Sequence, residues 1–345
     1  MSFVTECIES LAIAVPHKRA EEIRRLLKHL DILRKDLEVE RDEHYIYFPI
    51  TEAHPKLSNY STTYMCFKKR IQSIGSFKEL LQDKLPQEIL MQIPRSFDII
   101  GDIALIQLPP QIAEKYGEVI GRAIMSVNKN IKSVYARGEV RGEFRVREIK
   151  HIAGDKKTWT IHKEHGVRMY VDISKAYINP SLAEEHRRIA EMVKDNELVL
   201  DMFTGVGPFA LITASRKKAT IVAIDINPHA ISCLIKSLEL NKLKGIVIPI
   251  VGDSKLIIRL LKPRQFNHTI MNLPHKSIEF LDEACYATNN HGLIHVYIIT
   301  NSEEQAINII TKNCSCYKEI VEIRRVIDFA PGRFIFRVSL RVGHS

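Results

Sequence analysis

Apolar residues recur at three- and four-residue spacing from Ala20 to Leu30 (Ile23, Leu26, Leu27, Leu30), which predicts an amphipathic helix; Tyr45–Ile50 then predicts a strand. Residues 61–75 are polar and irregular and are expected to form a linker. Phe77–Leu85 has helical spacing. Strand patterns follow at Phe97–Gln107, Ser133–Val134, Trp159–His162 and Val167–Asp172. From residue 179 the pattern alternates. Short apolar runs at Leu198–Asp201, Thr220–Asp225, Ile246–Val251, Asn267–Met271 and Leu293–Ile299 are separated by helix-length segments. Asn227-Pro228 supplies an N-cap and a first-turn proline for one of those helices. Ile320–Asp328 and Arg333–Val342 flank Pro331-Gly332 and predict a closing hairpin. The expected architecture is a doubly wound, mostly parallel α/β domain over 179–345, behind two smaller α+β domains over 1–60 and 76–178.

Composition adds three constraints. The 345 residues suit two or three domains, and 50 Lys and Arg against 41 Asp and Glu leave a net charge of +9. Residues 129–168 alone hold eleven basic and five acidic side chains, a concentration expected of a surface that tracks phosphates. Arg137, Arg141, Arg145, Arg147, Lys150 and Lys163 are its candidates, with Tyr135, Phe144, Trp159 and Tyr177 as possible stacking platforms. No apolar run is long enough for a membrane helix, and the N-terminus is a poor signal peptide. The six cysteines are scattered without a CxxC pair. Reduced thiols, no metal and a cytoplasmic, monomeric chain are therefore expected.

The chemistry concentrates where strands end. Asp201-Met-Phe203-Thr-Gly205-Val-Gly207-Pro208 runs from a strand through a glycine turn into a helix. Its spacing also fits a dinucleotide fingerprint. However, Asp201, Asp225 and Asp253 close three successive strands, and three carboxylates in one crevice repel a pyrophosphate. They suit S-adenosylmethionine, which carries a sulfonium and an ammonium. Pro208 removes a backbone donor that a pyrophosphate would use. Asp225, 18 residues after Gly207, stands where a carboxylate holds ribose hydroxyls. Asn272-Leu273-Pro274 at the fourth strand end offers a side-chain amide to the edge of a base.

Gly142–Glu148, Ile161–Gly166, Val171–Pro180, Asp201–Phe209, Ala223–Pro228, Ile270–Pro274 and Ile294-His295 stand together in matching order and spacing. Through them the chain resembles the archaeal and eukaryotic-type tRNA (guanine-N1)-methyltransferases, which modify position 37 beside the anticodon. The resemblance implies a C-terminal class I, Rossmann-like methyltransferase domain and tRNA as partner. It implies Glu185 as general base, Arg145 beside guanine O6 and Asn272 on the base edge. It places Asp201, Phe203, Gly205, Gly207, Asp225, Ile226, Asn227, Gly252, Asp253, Leu273, Pro274 and Tyr177 around S-adenosylmethionine, and His186 near RNA.

Guanine N1 is protonated at neutral pH, so a base must take its proton as the methyl group moves. Charge then builds toward O6, where a guanidinium stabilises it. The target base has to leave its stack to be reached. Two sister activities share the fold: transfer of an aminocarboxypropyl group in wybutosine synthesis, and C-methylation of a wyosine intermediate. The chain departs from the family pattern at Ser181 and His186, where arginine is usual. Ser181-Leu-Ala-Glu184 is expected to form a capping box.

Overall fold

The computed structural model describes residues 7–34, 36–68, 76–141 and 146–343, without the side chains of 139–141 and 146. The chain divides into two units, Met1–Gly75 and Ser76–Ser345.

In the first unit, β1 (Cys7–Pro16), α1 (Ala20–His29), β2 (Glu40–Arg41), β3 (Tyr45–Ile50) and β4 (Thr62–Lys68) form an antiparallel sheet of order β2-β3-β1-β4, with the helix on one face. The spacing that predicts α1 buries Ile23 and Leu27 against Ile13, Val15, Phe48 and Ile50. The linker expected at 61–75 is corrected over its first half. Residues 62–68 are β4, which pairs with β1 from Cys7↔Lys68 to Ile13↔Thr62. Only Phe67 of this edge strand is buried, so its sequence reads as polar.

The second unit opens with Phe77, Leu81 and Leu85 in the core. The helix expected there is reduced to turns around a short 3-10 segment, Glu79–Leu81. After α2 (Gln87–Gln92) come β5 (Asp98–Ile100) and β6 (Ile103–Gln107), then α3 (Pro110–Val127), β7 (Ser133–Arg141) and β8 (Val146–Gly154). Their sheet order is β5-β6-β7-β8, with α3 as the crossover between parallel β6 and β7. Gly121 lets α3 lie on β8: a Cβ there would stand 2.5 Å from that of Ala153.

A hairpin, β9 (Trp159–Glu164) and β10 (Val167–Asp172), leads to α4 (Ala183–Met192). The α/β part follows as β11 (Leu198–Asp201), α5 (Pro208–Arg216), β12 (Thr220–Asp225), α6 (Pro228–Glu239), β13 (Ile246–Val251), α7 (Ser254–Leu260), β14 (Phe266–Met271), α8 (Leu281–Ala287), β15 (Thr288–Thr300), α9 (Glu303–Asn313), β16 (Tyr317–Ala330) and β17 (Arg333–Val342). The sheet order is β13-β12-β11-β14-β15-β17-β16. The first five strands are parallel, and β17 is antiparallel to both of its neighbours. The doubly wound sheet and its closing hairpin are as the pattern predicts.

Three expectations change here. The boundary at 178 moves, because Val167, Met169 and Val171 of the hairpin pack in one core with Ile189, Val199 and Phe209. The Tyr170 amide also donates to Ser237 Oγ of α6 at 2.8 Å. The capping box is replaced: Asn179 caps a 3-10 turn over Pro180–Leu182, and Glu184 pairs with Arg187 instead. Asn179-Pro180 starts the turn early, so Ser181 lies inside it. The reduced thiols are also corrected. Cys7 pairs with Cys66 and Cys285 with Cys316 as disulfides, and the three sulfurs of Cys285, Cys314 and Cys316 lie within 4.8 Å of one another. Partners 59 and 31 residues apart meet only through tertiary packing. No helix among the described residues is long and apolar enough to cross a membrane.

Candidate active site

The crevice forms where β11 and β14 adjoin and the chain order reverses, the usual ligand position in such sheets. Gly207 caps α5 in the left-handed region (φ 86°), and Pro208 follows as the first helical residue. A Cβ at Gly207 would stand 2.3 Å from Leu234 Cδ1 of α6, so this turn accepts no side chain. Asp225 holds the loop from the next strand. Its Oδ2 accepts from the Gly205 amide at 2.7 Å, and its Oδ1 accepts from the Asn227 amide at 2.9 Å. Asn227 caps α6 and donates through Nδ2 to the Lys175 carbonyl at 2.8 Å. Asp253 caps α7 by accepting from the Lys255 amide at 2.8 Å. Ser277 Oγ donates to the carbonyls of Leu273 (2.9 Å) and Met271 (3.0 Å) and so pins the Asn272–Pro274 loop.

These loops border a cavity of about 970 Å³. Phe203, Gly205, Asp225, Ile226, Asn227, Gly252, Asp253, Asn272, Leu273 and Pro274 all line it, as do Tyr177, Arg137, Arg147 and His186. Asp225 and Asp253 make part of its lining acidic, and Arg137 and Arg147 bring positive charge to it. Arg137 Nη1 lies 2.6 Å and Arg147 Nη1 3.4 Å from Asp98 Oδ2, and the Arg147 guanidinium lies 4.7 Å from the centroid of the Tyr177 ring. Phe203 meets Phe280 edge-on at 4.8 Å between ring centroids, an apolar wall beside the acids. Carboxylates, an aromatic wall and a side-chain amide suit a cationic nucleoside such as S-adenosylmethionine. The guanidinium pair suits a phosphate.

Several expected residues stand elsewhere. Asp201 is fully buried and does not line the cavity. It shares the inward face of β11 with Val199, and its Oδ2 accepts from Thr204 Oγ1 at 2.8 Å. Burial pushes its carboxyl up to about 7, against the pull of the Thr204 hydrogen bond. Two strand-end acids, not three, therefore face the ligand space. Gly207 lies behind the wall as a packing residue. Glu185 is 3 % exposed and points under the wall, toward Tyr297 and Arg337. His186 lines the cavity, but its Nδ1 is committed to Glu164 Oε2 at 2.7 Å. Burial alone would raise the Glu164 carboxyl; hydrogen bonds from His162 and His186 outweigh it and hold it at about 2.

Lys150 and Lys163 are exposed and outside the cavity wall. Arg145 and Phe144 lie outside the described residues, as does the side chain of Arg141. Tyr135 is core, while half-exposed Trp159 stacks on Tyr170 at 5.7 Å. Asp98 and Lys276 also line the cavity without having been singled out from the sequence. Nothing local marks Asp98, whose role appears only when β5 meets β7 and β8 through its arginine partners. Arg337 was missed too, although an arginine inside the apolar run Phe334–Leu340 is a readable signal of a buried charge.

Family models match along the chain: the Trm5 N-terminal domain over residues 12–58, the TYW2 N-terminal domain over 77–158, and the TRM5/TYW2 methyltransferase domain over 160–323. The tRNA (guanine(37)-N(1))-methyltransferase Trm5b of Methanocaldococcus jannaschii is 36 % identical, over 96 % of this chain and 98 % of that protein. The solved complex of aTrm5 with tRNALeu superimposes with a TM-score of 0.71 at 37 % identity, covering 96 % of this chain and 100 % of that one. Methanocaldococcus jannaschii Trm5 in complex with adenosine gives a TM-score of 0.67 at 34 % identity, over 97 % of this chain and 100 % of that one. With its order of elements, its strand-end site and these matches in agreement, the chain belongs to the TRM5/TYW2 family of methyltransferases.

Proposed function

We propose that the protein transfers a methyl group from S-adenosylmethionine to N1 of guanosine 37 in tRNA, in the cytoplasm. The observation that carries this reading is one cavity lined both by acids at the strand ends, Asp225 and Asp253, and by the Arg137–Arg147 pair. When bound, the cofactor supplies an electrophilic methyl on a sulfonium. In this reading Asp225 takes the ribose hydroxyls, Asp253 and Phe203 the adenosine side, and Asn272 the guanine edge; all four line the cavity. Arg137 and Arg147 take the phosphates that flank the extruded nucleotide in this reading, and the Tyr177 ring supports Arg147. Glu185, buried beneath the wall, takes the N1 proton in this reading on the resemblance of its motif. Arg145 at O6 remains part of this reading on the resemblance of its motif.

The test is incorporation of labelled methyl into a tRNA transcript, with the guanosine at position 37 replaced in a second transcript. Label in the first and none in the second is expected; equal label in both rejects position 37. One observation favours a second reading. The model that matches residues 77–158 is a TYW2 N-terminal domain, and so transfer of an aminocarboxypropyl group is the competitor. The Trm5 N-terminal match and the full-length similarity to Trm5b favour methyl transfer, and the mass of the product nucleoside decides.

A further inference from the structure

A single file of polar side chains crosses the sheet under the cavity, on the face that α4 covers. Arg337 of β17 is 1 % exposed. Its Nε lies 2.6 Å from Glu185 Oε1, its Nη2 donates to Glu322 Oε2 at 2.9 Å, and its Nη1 donates to Ser339 Oγ at 2.7 Å. Ser339 Oγ lies 2.8 Å from His295 Nδ1, and His295 Nε2 lies 3.0 Å from His268 Nδ1. His268 Nε2 is 3.2 Å from Glu197 Oε2. The strand register places them in line: His268 opposite Val199, His295 opposite Ile270 and Ser339, and Arg337 opposite Tyr297 and Arg324.

Donor chemistry gives the file one direction. A carboxylate only accepts, so with both rings neutral His268 Nε2 donates to Glu197, and Ser339, which accepts from Arg337, turns its own proton to His295 Nδ1. His295 then carries its proton on Nε2 and gives it to His268 Nδ1, and His268 gives its own to Glu197. Burial lowers the pKa of both imidazoles, although Glu197 opposes this at His268. Each ring is thereby kept neutral, with the one N–H that the file requires. Three anchors, Glu185, Ser339 and Glu322, fix the plane of the Arg337 guanidinium.

The consequence lies at Glu185. Its Oε1 takes both Arg337 and the Tyr297 hydroxyl, which donates at 3.0 Å. Its Oε2 is buried, 3.5 Å from Arg324 Nε, and accepts no hydrogen bond among the described residues. Oε1 is held by Arg337 and Tyr297, and Oε2 is ion-paired with Arg324. We propose that Arg337 is a positioning residue for methyl transfer: the Ser339–His295–His268–Glu197 file locks its guanidinium, which anchors Glu185 by Oε1 and fixes the carboxylate's place under the cavity. This rests on Glu185 as the base. The charged and titratable groups around the pair are Tyr297, Arg324 and Glu322, with His295 beyond Ser339 and Asp201 beyond Tyr297.

The experiment is single-turnover methyl transfer by the full chain to a tRNA transcript, for Glu185→Gln, Arg337→Lys, Ser339→Ala and the pairs with Glu185→Gln. Ser339→Ala removes no charge and keeps the test open if Arg337→Lys does not fold. Arg337→Lys should slow the chemical step about a hundredfold and Ser339→Ala about tenfold, with affinity for S-adenosylhomocysteine and tRNA held within about twofold. Neither change should slow the reaction further in the Glu185→Gln background. Wild-type rates in both single variants, or equal fold losses with and without Glu185, overturn the positioning role and leave the methyl-transfer reading intact. A wild-type rate for Glu185→Gln removes the base assignment and this proposal with it.

Discussion

The two sides of the site wall are held by different means. On the cofactor side, Asp225, Asn227 and Asp253 are fixed by backbone amides two residues ahead or in the adjoining loop: Asn227 N, Gly205 N, His229 N and Lys255 N. Beneath the wall, Glu185 is fixed by side chains 112 and 152 residues away, Tyr297 and Arg337. Backbone anchors come with the strand–loop–helix geometry and cost little extra entropy to order. Side-chain anchors exist only when several strands are in register, and each lost partner strands a buried polar group. The cofactor side is therefore expected to tolerate single changes with graded loss, while the underside fails as a unit.

The largest expected effect tests the underside. Glu185→Gln should lower the single-turnover rate by about 10²–10⁴ while S-adenosylhomocysteine binding, measured by calorimetry, stays near wild type. A matching loss of cofactor affinity would erase the distinction between the two sides. Next, Asp225→Ala removes the acceptor for Gly205 and Asn227. It should weaken cofactor binding by about 1–3 kcal/mol, read by calorimetry, with a smaller effect on the rate at saturating cofactor.

A third measurement sharpens the contrast between Asp225 and buried Asp201. The unfolded chain releases the Asp201 proton near 3.8, and the native state holds it to about 7. Between those values folding takes up a proton, so this group makes stability fall as pH rises through the window. Asp201→Asn should flatten the pH dependence of the denaturation midpoint between roughly pH 4 and pH 7, and an unchanged slope would mean that Asp201 is solvated. The smallest effect belongs to exposed Lys150, outside the wall. Lys150→Ala should reduce the slope of log affinity for tRNA against log salt by about one, without altering the rate of bound tRNA.

Legibility followed the same division. The loop Asp201–Pro208, the Asn227-Pro228 cap and the Asn272–Pro274 turn were readable because each is a contiguous run whose residue types answer to one local geometry. The strand pattern after residue 179 located every strand of the large sheet within a few residues. By contrast, β4 hid behind an exposed edge, whereas α3 is legible in the four-residue spacing of Ile112, Tyr116, Ile120 and Ile124. The position of Asp201 was misjudged because strand alternation decides which side of the loop a terminal side chain faces. The disulfide partners were invisible because each pair closes a loop of 31 or 59 residues.

Local chemistry along the chain was thus enough to determine the Rossmann-like domain and the strand-end loops that border the cavity. Turns, caps and strand ends depend on neighbours a few residues apart. The tertiary structure alone decided that Asp201 lies buried while Asp225 and Asp253 face the cavity, that Asp98 gathers Arg137 and Arg147, and that Glu185 is anchored by Arg337. Those facts depend on which strands lie side by side and in what register, and long-range pairing leaves no mark on any single stretch of sequence.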